Sequence, residues 1–176
     1  VTLFADMVSR DALDFARREA RTMLVGTPGF GPSCKQDDIN ALMVSLAPQG
    51  KRVVRLKGGD PLIFGRAGEE IEACQAAGIA VDVVPGITAA QGAAAKLGIP
   101  LTDRGHSRRL QYITGHARNG QLPDDIDWKS LVDPSATTAV YMPARTLEAL
   151  VTRALAEGLD PAAPAVALRA PCDAAG

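Results

Sequence analysis

Short apolar runs and amphipathic stretches alternate along the chain, and their order predicts its elements. Val53, Val54 and Leu56 form the kind of run that makes a buried strand, and Val83-Val84 reads as the end of another. Between them Ala67–Ala77 has helical character and stops at Gly78, a residue suited to closing a helix. Gln91–Leu97 reads as a further helix, rich in small residues that permit close packing. Upstream, Thr2–Ala5 reads as a strand, Asp11–Ala20 as a helix with Ala12, Phe15 and Ala16 on one face, and Thr22–Gly26 as a second strand. Gln36–Ala47 places Ile39, Leu42, Met43 and Leu46 on one helical face, with Asp37 and Asp38 in the first turn, at the positive end of the helix dipole. Downstream, strands at Arg109–His116, Thr138–Met142 and Pro164–Leu168 frame a helix from Ala144 to Gly158. Regular alternation of strand and helix predicts α/β architecture built on parallel sheets. The polar segment Leu101–Ser107 marks a lobe boundary, giving an N-terminal α/β lobe over residues 1–104 and a C-terminal one over 105–176.

The turns carry the candidate chemistry. The Lys51 strand breaks at Gly58-Gly59-Asp60-Pro61, where two glycines let main-chain N–H groups approach a ligand with no Cβ in the way. Asp60 can accept hydrogen bonds from hydroxyls, as an acid does for ribose in dinucleotide folds. Val83-Val84-Pro85-Gly86-Ile87-Thr88-Ala89 repeats the layout, with Thr88 able to cap the next helix. Two such turns at neighbouring strand ends make a crevice at the carboxyl edge of a parallel sheet, where open α/β sheets bind ligands. Taken alone, each turn is as readily a plain loop. Thr27–Pro32 reads as a surface connection, with a substrate-loop role left open by its place after a strand.

Composition narrows the classes. The 176 residues carry a net charge of −1, so no basic field points to nucleic acid or to a membrane surface. No apolar run approaches the roughly 20 residues that span a bilayer. The N-terminal VTLFADMVSRD lacks the features of a secretory signal. Cys34, Cys74 and Cys172 are odd in number and far apart, which disfavours a disulfide framework or a metal site and fits a reducing cytoplasm. Cys74 reads as a small core residue, and His106 and His116 stand in no metal-ligand spacing.

The strings RLKGGDPLIFGRAGEE (55–70) and VVPGITAAQGAAAKLGIPLTDR (83–104) resemble the tetrapyrrole methylase family, and within it the uroporphyrinogen-III C-methyltransferases. The resemblance runs to about Thr114 and more loosely beyond. It implies a two-lobed fold that binds S-adenosylmethionine between its lobes and releases S-adenosylhomocysteine. On the family pattern, Gly58, Gly59, Asp60, Ile63, Thr88, Ala89 and Met142 bind the donor. The implied substrate, uroporphyrinogen III, becomes precorrin-2 on the way to sirohaem or cobalamin. Its eight carboxylates call for arginine forks, for which Arg104 and Arg66 are the candidates, Arg104 matching the pattern. Arg108 and Arg109 read more simply as solubilising charges. A homodimer is implied as well.

Three departures accompany the resemblance. The family's opening strand and its G-x-G-P-G-D turn are absent, and the C-terminal part of the fold is expected to be missing too. The family's proposed acid falls on Ala5, with Asp6 beside it, and its proposed lysine falls on Thr27. Asp6 or Lys35 are the possible substitutes, but a one-residue shift along a strand reverses the side chain's direction. A catalytically degenerate relative that binds the donor or a tetrapyrrole without turnover therefore stays open, as does a methylase of another tetrapyrrole.

Overall fold

A computed structural model of the chain describes residues 2–6, 8, 10–25 and 35–168, with backbone alone at 2–6, 10 and 11. The Thr27–Pro32 loop, Thr27 itself, Cys34 and Cys172 lie outside the described residues. Two compact units divide between Ala89 and Ala90, upstream of the Leu101–Ser107 segment.

In the first unit β1 (Thr2–Asp6) is the central strand of a parallel sheet, flanked by β2 (Arg21–Leu24) and β3 (Val53–Lys57). Ala5 pairs with Leu24 on one side and Leu56 on the other. The helix expected over Asp11–Ala20 is confined to α1 (Arg10–Leu13), and Phe15 is 91% exposed. Two of the three residues on its apolar face are alanines, too small a surface to hold a short helix by packing. α2 (Gln36–Leu46) begins and ends close to expectation, and its Ile39 and Met43 join Val25 in the core. Met23, Leu42, Leu46 and Val53 pack around them.

α3 (Ala67–Ala76) packs on α2 and buries Cys74. Burial raises the Cys74 thiol above its usual range, with nearby Glu70 adding to the effect. Glu70, 5% exposed, accepts from Gln36, Arg55 and Lys57 at 3.0–3.1 Å. Buried charges persist when paired and hydrogen-bonded in this way. The hub fastens the end of β3 to both helices.

The strand expected at Val83-Val84 does not form: residues 79–88 run without regular structure, and Val84 is 79% exposed. Among the described residues no strand lies alongside to supply a ladder, so an apolar run of β propensity stays unpaired. The Pro164–Leu168 strand is missing for the same reason, and Val166 is 62% exposed.

In the second unit β4 (Arg109–Thr114) and β5 (Ala136–Tyr141) pair in parallel, Arg109 opposite Ala136 and Thr114 opposite Tyr141. α4 (Ala89–Leu97) leads in, α5 (Trp128–Leu131) lies between the strands in sequence, and α6 (Leu147–Ala156) comes after them. Leu131, Leu150 and Ala154 are buried. Gln111 on β4 donates to the Ser130 carbonyl and the Thr138 hydroxyl, tying α5 and β5 to it. Among the described residues no helix is long and apolar enough to cross a membrane.

Candidate functional site

β3 ends at Lys57, and the chain turns at Gly58 and Gly59, the latter in left-handed backbone at φ +73°. Asp60 organises the turn from both ends of its carboxylate. Its Oδ1 accepts from the Leu62 N–H at 2.8 Å, an Asx turn, while its carbonyl accepts from the Ile63 N–H at 3.2 Å. Its Oδ2 accepts from the Gly86 N–H at 3.0 Å. The two turns touch: a Cβ on Gly86 would stand 2.3 Å from the Gly59 carbonyl oxygen. A Cβ on Gly59 would meet the Ile87 oxygen at 3.6 Å and the Ala89 nitrogen at 3.7 Å. Thr88 is buried, and α4 starts at Ala89. Gly58, Gly59, Asp60, Ile63, Thr88 and Ala89 thus share one region of the first unit.

The backbone between this turn and α3 is strained. Phe64 and Arg66 both adopt positive φ, at 51° and 56°, in a region costly for non-glycine residues. Gly65 between them leaves no room for a side chain, because the Pro61 oxygen would lie 2.6 Å from its Cβ. Arg66 is committed locally, with Nε and a terminal nitrogen donating to the two Glu69 oxygens at 2.7 and 2.8 Å. That fork holds the guanidinium charged and raises it above its ordinary value.

Met142 belongs to the second unit, directly after β5, and its φ of 55° makes it a third strained residue. Such outliers cluster at ligand clamps and active sites. The Gly115 N–H donates to the Tyr141 carbonyl at 2.7 Å, and a Cβ on Gly115 would lie 2.7 Å from the Pro143 Cα. Buried Thr146 donates its hydroxyl to the Gly115 carbonyl. The Tyr141 hydroxyl accepts from the Ala90 N–H at 3.1 Å, satisfying an orphan donor in the first turn of α4. Tyr141, Thr146 and Glu70 belong to no motif that the sequence alone marks as functional. A Tyr directly before the Met142 position was the only local signal for the first, and nothing in the sequence pairs Glu70 with both Arg55 and Lys57.

Arg104 lies in a tight loop closed by the Asp103–Ser107 bridge, at the amino end of β4 and away from Thr114 and Met142. It is exposed, and its carbonyl accepts from Arg108 Nε at 3.0 Å. Gly105, His106, Arg108, Arg109 and Ser135 line a depression of about 400 Å³ there. Arg109 there is paired with Asp133, and the His106 Nδ1 lies 2.9 Å from Asp103 Oδ1. Among the described residues no group of three His, Cys, Asp or Glu side chains is placed to hold a metal ion.

The family model for tetrapyrrole (corrin/porphyrin) methylases matches residues 2–172. The siroheme synthase of Methylococcus capsulatus is 47% identical over 96% of this chain and 35% of its own length. That of Chromobacterium violaceum is 45% identical over 96% of this chain and 35% of its own length. The chain therefore spans about a third of these curated relatives. Among solved structures, uroporphyrin-III C-methyltransferase from Thermus thermophilus, complexed with S-adenosyl homocysteine, superposes with a TM-score of 0.73. It is 29% identical, over 91% of this chain and 66% of that one. Matched over nearly its whole length in sequence and over nine-tenths of it in fold, the chain belongs to the tetrapyrrole methylase family.

Proposed function

We propose that this chain binds S-adenosylmethionine and takes part in C-methylation of uroporphyrinogen III to precorrin-2. One observation supports this reading most: the Gly58–Pro61 and Pro85–Ala89 turns meet at glycine contact distance through Asp60. Such turns suit a nucleoside-like donor, offering close main-chain approach and a carboxylate with two acceptor positions still open. Gly58, Gly59, Asp60, Ile63, Thr88, Ala89 and Met142 hold the donor in this reading. When bound, the donor supplies an activated methyl group, and the protein contributes orientation and exclusion of water. Arg104 takes substrate carboxylates, and Arg66 joins it only by releasing Glu69. The homodimer implied by the family is read by light scattering.

Calorimetry with S-adenosylhomocysteine tests the donor assignment. Saturable one-site binding is expected, and no heat or thermal shift at millimolar ligand would defeat it.

A second reading, donor or tetrapyrrole binding without turnover, is favoured by Ala5 and Thr27 at the family's acid and lysine positions.

A further inference from the structure

We propose that Asp60 is a positioning residue: its carboxylate clasps the Gly58–Pro61 turn to the Pro85–Thr88 turn and forms the donor-binding floor before any ligand arrives. The inference rests on the donor-binding reading above and assigns Asp60 a task beyond contact with the donor.

The surroundings of Gly86 create the need for a clasp. Residues 79–88 belong to no strand, so no ladder fixes their position. Their apolar side chains do little anchoring, since Val84 is 79% and Ile87 69% exposed. Asp60 reaches across 26 residues of sequence to the Gly86 N–H. A carboxylate accepting from a main-chain amide makes a charge-assisted bond, stronger than the neutral kind. The Leu62 bond alone would be an ordinary Asx turn. The second oxygen converts a local turn into a link between two segments.

Glycine makes that link geometrically possible. With 2.3 Å between a Cβ at position 86 and the Gly59 oxygen, any other residue there would push the turns apart. Asp60 holds the segments at a distance that only Gly86 permits. Two features far apart in sequence thus serve one contact.

Two substitutions separate the clasp from direct ligation. Asn at position 60 keeps an oxygen for the Leu62 Asx turn but turns its NH₂ toward the Gly86 N–H, so Asp60→Asn breaks only the link. Gly86→Ala parts the turns while leaving the carboxylate intact. In the donor-free 176-residue chain, Asp60→Asn should speed hydrogen exchange at the Gly86 amide about tenfold or more, with the amides of Met43 and Cys74 unchanged. Both variants should weaken S-adenosylhomocysteine binding by about tenfold. Unchanged Gly86 exchange in Asp60→Asn would leave only a ligand role and overturn the clasp. So would uniform acceleration across α2 and α3, or full affinity in Gly86→Ala. Failure of the wild-type chain to bind S-adenosylhomocysteine would defeat the donor reading instead, while the exchange measurement still decides whether the clasp exists.

Discussion

Met142 holds a left-handed backbone with a side chain that is 49% exposed, so little packing offsets its strain. Left-handed backbone costs a non-glycine residue roughly 1–2 kcal/mol. Met142→Gly should therefore keep or slightly raise thermal stability. Its affinity for S-adenosylhomocysteine should fall, because the side chain proposed to touch the donor is gone. A melting temperature several degrees lower would show that the side chain, not the backbone, dominates there. Arg104 presents the opposite case, an exposed cation in a loop already closed by Asp103 and Ser107. Arg104→Ala should weaken tetrapyrrole binding by about tenfold, the scale of one charge-assisted hydrogen bond, with donor affinity near wild type. Equal loss of both ligands would mark a folding defect.

At the scale of elements, Glu70 decides how β3, α2 and α3 fit together. Glu70→Ala would leave Arg55 and Lys57, 10% and 6% exposed, without their shared partner. Breaking a buried pair from one side costs about 3–5 kcal/mol, which urea denaturation would register as a large drop in midpoint. A change below about 1 kcal/mol would mean the cations find water or other partners. In the second unit, Asp127 caps α5 through Ser130, and Asp133 accepts from both groups of Ser135 and pairs with Arg109. The Ser130 hydroxyl holds Asp127 below the usual carboxylate range, and the Ser135 hydroxyl does the same for Asp133. A carboxyl depressed on folding adds stability above its unfolded value of about 3.9, and loses it as pH falls through the folded value. Stability should thus be flat near neutrality and decline below about pH 4, less steeply in Asp127→Asn and Asp133→Asn. Urea midpoints against pH would read this, and an identical acid slope in both variants would reject it.

For the whole molecule the decisive property is turnover. In the proposed reading, Ala5 and Thr27 stand where the resemblance puts the family's acid and lysine, while the Gly58–Pro61 and Pro85–Ala89 turns are the proposed donor site. Loss of a general acid or base costs roughly 10²–10⁴-fold, whereas orientation of the donor survives. Single-turnover methyl transfer to uroporphyrinogen III should accordingly be slower by about that factor than in a relative carrying both groups. Ala5→Asp with Thr27→Lys is the repair to test beside it. Relative-like rates in the unmodified chain would show that neither position is needed, and the binding-only reading would fall.

The sequence by itself determined what depends on neighbours along the chain. The apolar face of α2, the end of α3 at Gly78, the runs of β3, β4 and β5 and the glycine-acid turn are local patterns, and each stands close to where periodicity puts it. The strings around Gly58 and Thr88 likewise carried the family. Tertiary structure decided what depends on partners distant in sequence. Val83-Val84 and Pro164–Leu168 have strand character, yet a strand needs a ladder, and residues of strand propensity cannot supply their own neighbour. Asp60 reads as a ligand from its turn alone, and only the approach of Gly86 shows both carboxylate oxygens already engaged. The Glu70 hub and the Tyr141 bond to Ala90 span 34 and 51 residues, separations across which no local propensity acts.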